Sequence, residues 1–189
     1  MSDAKTGLQL KTSNVDTWWL YDDGGLNILL PYVLTNRVVK EKLPLRIFAL
    51  PKQNCKLEES QKSIETLLAM YRIDYSQLKL VNGLYDAPDE DSWALFESIV
   101  GHYKSKEQSE CYVTEEELIK QHTKTSRYLR LREVVLENSS EAGMIVMSLP
   151  IPRRNAVSPP LYMAWLEMLS RDLPPMLFVR GNNTPVLGV

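Results

Sequence analysis

Histidine and cysteine, the usual stock of imidazole and metal chemistry, are scarce in this chain. Among 189 residues there are two histidines, His102 and His122, and two cysteines, Cys55 and Cys111. None of the four shares a cluster with zinc-ligand spacing, and no catalytic triad can be laid out from so few bases. No metal site and no catalytic set is therefore expected. Two lone cysteines fit a reducing compartment, where they are free thiols. An excess of positive charge is absent as well: 22 basic residues face 24 acidic ones, for a net charge of −2. That removes the electrostatic case for a nucleic-acid binder. The longest apolar stretch, residues 26–34, is interrupted by Asn27 and Pro31 and falls short of the roughly 18 residues a bilayer span requires. The opening MSDAKTGLQLKTSN has no apolar segment of the kind a secretory signal needs.

What remains is globular. Hydrophobic residues make up 44% and charged residues 24%, enough for a proper core in one ordinary domain. Residues 1–13 are polar and read as a flexible tail or an introduced linker, and residues 14–189 read as a single α/β domain. Aromatic and β-branched residues over 15–21 predict a strand. Leu26, Leu29, Leu30, Val33 and Leu34 then recur at helical spacing, with Pro31 predicting a bend. LRIFAL, residues 45–50, reads as a strand buried on both faces. A helix over 57–71, a short strand over 77–81 and an amphipathic piece over 92–103 follow, within a polar connection at about 82–113. Thr114 and Glu117 form a capping-box pattern that opens the longest helix, running to about 138. GMIVMSL, residues 143–149, predicts a further buried strand. Ser158-Pro159 starts the last helix, with Ser as cap and Pro at the first helical position. PPMLFVRG and PVLGV predict two final strands.

Strands alternating with helices imply a three-layer fold: a mostly parallel twisted sheet with helices on both faces, Rossmann-like, with an antiparallel edge strand at the C-terminus. In such sheets ligands bind beyond the C-terminal strand ends, where the strand order reverses. If the first and fourth strands flank that reversal, the Asp22-Asp23-Gly24-Gly25 loop faces the loop carrying Arg153 and Arg154. The two loops then either cradle a polar ligand or carry solvated, mutually paired charges, and the second is the simpler reading. A dinucleotide site wants Gly-x-Gly-x-x-Gly. Here the glycines are adjacent, Leu29 and Leu30 occupy the region of the third, and two carboxylates would repel a phosphate. Adjacent Asp22 and Asp23 point apart rather than forming an acid/base pair. The stretch is read as a strand-to-helix bend in which an Asp caps the helix. No cofactor is expected. KQHTKTSRYLRLR, residues 120–132, is the most basic stretch. Lys120, Lys124, Arg127 and Arg130, with Arg153 and Arg154, are the candidate interaction surface, against the alternative of a packed helix with a solvated basic face. Trp18 and Trp19, being consecutive, face opposite sides of their strand, so both sides need cover.

Three stretches, VDTWWLYDDGGLNILLPYVLT, HTKTSRYLRLREVVLENSSEAGMIVMSLP and VSPPLYMAWLEMLSRDLPPMLFVRGN, resemble the C-terminal cytosolic domain of cation-chloride cotransporters. The resemblance spans residues 15–187 and is strongest toward the sodium-dependent branch. It implies the second of two α/β halves akin to universal stress proteins, at the cytoplasmic face of a multi-pass plasma-membrane carrier. It also implies regulation and homodimerisation rather than catalysis, with the transmembrane core and the first cytosolic half of the parent as further partners. The ion pathway is expected in membrane helices outside this stretch, and no small-molecule ligand or nucleic acid is expected as partner. The resembling domains end in an aromatic strand after a Val-Leu pair, whereas this sequence stops at Gly188-Val189. The alternative is a soluble sensor of universal-stress type that binds a nucleotide between the Asp22 and Arg153 loops.

Overall fold

The structure, a computed structural model, describes residues 14–20, 25–38, 43–51, 56–104 and 112–181. In chain order it contains β1 (Val15–Trp19), α1 (Leu26–Val33), β2 (Leu45–Ala49), α2 (Leu57–Met70) and β3 (Gln77–Leu80). Then follow α3 (Glu90–Val100), α4 (Glu115–Ser139), β4 (Met144–Ser148), α5 (Pro159–Ser170) and β5 (Met176–Val179). The alternation expected from periodicity is in place, and element ends differ from expectation by one or a few residues. Pro31, buried within α1, lacks the N–H that would continue the helical ladder. Close behind it the helix widens into a π turn, Leu34–Val38, and the Leu34 N–H is shared between the carbonyls of Leu30 and Pro31.

All five strands form one sheet in the order β3-β2-β1-β4-β5, every neighbouring pair parallel. Helical crossovers force this, because a parallel return needs a long connection while a hairpin does not. The order reverses between β1 and β4, the position at which ligands enter doubly wound sheets. The antiparallel C-terminal edge is not found at β5, which runs parallel to β4. The further strand expected in PVLGV lies outside the described residues.

The described residues fall into two compact units. The first holds the sheet, α1 and α2. On one sheet face Val15, Ile47, Val146 and Val179 pack with Ile28 of α1 and with Ile64 and Leu68 of α2, and Trp19 lies against this cluster. The opposite face presents Trp18, Phe48, Ile145 and Met147, all buried. Trp18 stacks on Phe48 at 4.7 Å between centroids. The two tryptophans therefore point to opposite faces, as the two-residue period of a strand requires.

The second unit contains α3, α4 and α5, which pack on one another. Tyr128 of α4 stacks on Trp165 of α5 at 4.8 Å, and the Trp165 indole N–H donates to Thr125 Oγ1 at 3.0 Å. Trp93 of α3 stacks on His122 of α4. Both expected caps form: Thr114 Oγ1 accepts the Glu117 N–H at 3.2 Å, and Ser158 Oγ accepts the Leu161 N–H at 3.4 Å. Only the Thr arm of the expected capping box is seen, because the Glu117 carboxylate accepts the Ser158 N–H instead, at 2.6 Å.

Candidate functional site

At the strand reversal the structure places an amide. Asn27, in the first turn of α1, is fully buried. Its Nδ2 donates to the Trp18 carbonyl at 2.8 Å, on β1, and to Ser148 Oγ at 2.9 Å, at the end of β4. One side chain thus ties the C-terminal ends of both strands to α1. Its Oδ1 is buried without a hydrogen-bond partner among the described residues. The helix N-cap is Gly25, in the left-handed region at φ 84, with no side-chain cap and no acid in the first turn. Gly25 accepts from Ile28 and Leu29 with its carbonyl, and its conformation is one that a side chain would strain. Asp22, Asp23 and Gly24 lie outside the described residues.

A second polar feature sits inside the sheet. Asp16 of β1 and Arg46 of β2 are register partners. The Arg46 Nε donates to Asp16 Oδ1 at 2.7 Å, and Nη2 to Oδ2 at 2.5 Å, while Asn14 Nδ2 also donates to Oδ1. The carboxylate is fully buried and the guanidinium about a quarter exposed, lying 5.4 Å from the Phe48 ring centre. This is the two-pronged geometry at which arginine surpasses lysine. Sequence reasoning passed over both this pair and Asn27. The signals were there: an acid in VDTWW, a base in LRIFAL, and a lone amide in an apolar helix start.

The six basic residues proposed as an interaction surface meet different fates. Arg130 is consumed internally: its Nε donates to the Gly83 carbonyl at 3.0 Å and its Nη1 to Glu133 at 2.8 Å. Glu133 also accepts the Asp89 N–H at 2.8 Å. Burial pushes the Glu133 carboxyl up, but the Ser92 hydroxyl, Arg130 and the Asp89 N–H together hold it below its ordinary value. The Lys124 ammonium lies 5.2 Å from the Trp165 ring centre and the Arg127 guanidinium 5.5 Å from that of Tyr85, both cation–π distances. Lys120, Arg153 and Arg154 are exposed.

Lys120 lines an open groove of about 730 Å³ in the second unit, between the first turns of α4 and the segment leading into α5. Its walls include Thr114, Glu116, Glu117, Asn155 and Ser158. Gln121 Nε2 donates across it to the Ala156 carbonyl at 2.8 Å. Neither histidine lines it. Among the described residues no group of three or more His, Cys, Asp or Glu side chains is placed to hold a metal ion.

The strand order is that of doubly wound α/β domains, and at the reversal the Asn27 amide N–H groups hold sheet and helix together. The chain belongs to solute carrier family 12: the family's sequence model matches residues 6–189. It is 49% identical over 178 residues to a bumetanide-sensitive sodium-(potassium)-chloride cotransporter of Manduca sexta, covering 94% of this chain and 17% of that protein. It is 40% identical over 200 residues to solute carrier family 12 member 2 of Homo sapiens, covering 98% of this chain and 16% of that protein. With member 1 of Rattus norvegicus the identity is 39% over 186 residues, covering 92% and 17%. The chain thus spans about one sixth of the length of these curated relatives.

Proposed function

We propose that this chain is a non-catalytic regulatory and dimerisation domain, C-terminal and cytosolic, of an electroneutral chloride cotransporter. The parent would carry sodium, potassium or both with chloride across the plasma membrane. The observation that carries this reading is the match over nearly the whole chain to about one sixth of a sodium-(potassium)-chloride cotransporter. It is supported by the helices: among the described residues none is long and apolar enough to cross a membrane. The ion pathway then belongs to other parts of the parent, and the work of this domain is contact. Its partners are a second copy of itself, the transmembrane core, and the preceding cytosolic half. The nucleotide-sensing alternative is disfavoured at the strand reversal, where the Asn27 amide already occupies the ends of β1 and β4.

Sedimentation equilibrium of the purified chain tests the dimerisation. A monomer–dimer equilibrium at micromolar concentration is the expected result, and a strict monomer across that range refutes it. Fusion to the membrane part of a sodium-(potassium)-chloride cotransporter in place of the matching segment tests the rest. Chloride uptake should be retained in the chimera and altered in its regulation. A chimera indistinguishable from the carrier lacking the segment altogether would sink the regulatory role.

A further inference from the structure

The groove of the second unit contains a hydroxyl placed where one modification would change a helix-to-helix contact. We propose that Ser158 is a phosphorylation site, and that its phosphorylation releases the Glu117 latch between α4 and α5. The segment before it, Ile151 to Ala156, is mostly exposed and carries Arg153 and Arg154. It turns back on itself through the Ala156 N–H to the Arg153 carbonyl, at 3.0 Å, with Asn155 in the left-handed region at φ 58. Ser158 then leaves that turn in an extended conformation, φ −69 and ψ 149. Pro159 enforces this, since a residue preceding proline is driven out of the helical region. Ser158 is half-buried and Pro159 exposed, and an extended Ser-Pro step is the form in which a proline-directed protein kinase takes its substrate. The hydroxyl is lightly held: it accepts the Leu161 N–H at 3.4 Å, the long end of hydrogen bonding. It opens on the groove of about 730 Å³, which has room for a phosphoryl group.

In the transfer itself, Ser158 Oγ attacks the terminal phosphorus of a nucleoside triphosphate bound by the kinase. The Oγ–P bond forms, the bond to the bridging oxygen breaks, and the nucleoside diphosphate leaves. The hydroxyl proton passes to the carboxylate base of the kinase. The product carries about −1.5 to −2 charges at the N-terminus of α5, where the Leu161 N–H, already bonded to the Ser158 hydroxyl, and the helix dipole favour it, Pro159 and Pro160 having no N–H to offer. Glu117 already holds the Ser158 N–H at 2.6 Å. Two anions then compete for one helix end. The phosphate is covalently fixed there, whereas Glu117 sits on a rotatable side chain, so Glu117 is the one displaced. Lys120, one turn further along α4 and lining the same groove, supplies a cation to the phosphate. The outcome is a capped α5 and a first turn of α4 that has lost its tie to it.

The test uses the 189-residue chain with a proline-directed kinase and magnesium–ATP, phosphopeptide mapping and amide hydrogen exchange. The expected result is phosphate on Ser158 in the folded chain, with exchange of residues 114–121 accelerated several-fold and that of α5 unchanged. Glu117→Ala, which removes the acceptor of the Ser158 N–H, should show fast exchange in 114–121 before phosphorylation and little further change after it. Phosphate on a peptide of residues 151–163 but not on Ser158 of the folded chain overturns the site. Phosphate on Ser158 with exchange of 114–121 unchanged overturns the latch.

Discussion

Removing Arg46 should harm the fold more than neutralising its partner, and the asymmetry follows from burial. Asp16 is fully buried, whereas Arg46 is about a quarter exposed. Replacing Arg46 by Met keeps the aliphatic length beside Phe48 but leaves a buried carboxylate with the Asn14 amide as its remaining described partner. Breaking a buried pair from one side costs about 3–5 kcal/mol. Water reaching the guanidinium places Arg46→Met toward the lower end, about 3 kcal/mol. Asp16→Asn leaves a guanidinium that can turn to solvent and an amide that still accepts from it, at about 1–2 kcal/mol. With a slope near 2 kcal/mol per molar urea, Arg46→Met lowers the unfolding midpoint by about 1.5 M and Asp16→Asn by about half of that. Tryptophan fluorescence reports the transition directly, because Trp18 stacks on Phe48 and Phe48 lies beneath Arg46. Equal midpoints for the two variants, or a loss under about 1 kcal/mol for Arg46→Met, would refute the claim that the sheet carries a buried charge held by one bidentate partner.

Three further outcomes are expected. Asn27→Leu removes the donor that serves the Trp18 carbonyl and Ser148; it should cost about 1–3 kcal/mol and speed amide exchange at the start of α1, and a neutral effect in urea unfolding would remove Asn27 from its tying role. Gly83 sits at φ 79, where a Cβ would lie 2.9 Å from Asp86 Oδ2; Gly83→Ala should cost about 1–2 kcal/mol by thermal unfolding, and an unchanged midpoint would refute the strain. The folded-state pKa of Glu133 lies below its ordinary 4.5, so its contribution to stability is present above that value and is lost as pH falls through the lower folded value. Urea midpoints measured from neutral pH down to acid should therefore decline less steeply for Glu133→Gln than for the natural chain, and parallel curves would contradict the assignment.

Periodicity exposed the elements of this protein well, for reasons visible in particular residues. LRIFAL, apart from Arg46, and GMIVMSL, up to Ser148, are apolar on nearly every position, the pattern of a short strand covered on both faces. Thr114 and Ser158 announced the starts of α4 and α5, because a cap is a local arrangement of a side chain and N–H groups two or three residues on. The helix expected from Leu26 begins there, with Gly25 as its N-cap in a left-handed conformation that backbone freedom allows. Arg130 shows what composition leaves open. Composition counts charges, but whether Arg130 is free depends on Gly83 and Glu133, and only packing brings those to it.

By itself, then, the sequence determined the alternation of strands and helices, two of the helix caps, and membership of solute carrier family 12 through residues 6–189. Those are local or cumulative properties, carried by neighbours along the chain. Tertiary structure alone decided the strand order, the pairing of Asp16 with Arg46 across β1 and β2, and the use of Asn27 to join Trp18 with Ser148, 121 positions further along the chain than Asn27 itself. It also redirected Glu117 from its own helix to the Ser158 N–H. Each of these is a contact between distant segments, and a buried polar group takes whichever partner the packed fold brings within hydrogen-bonding reach.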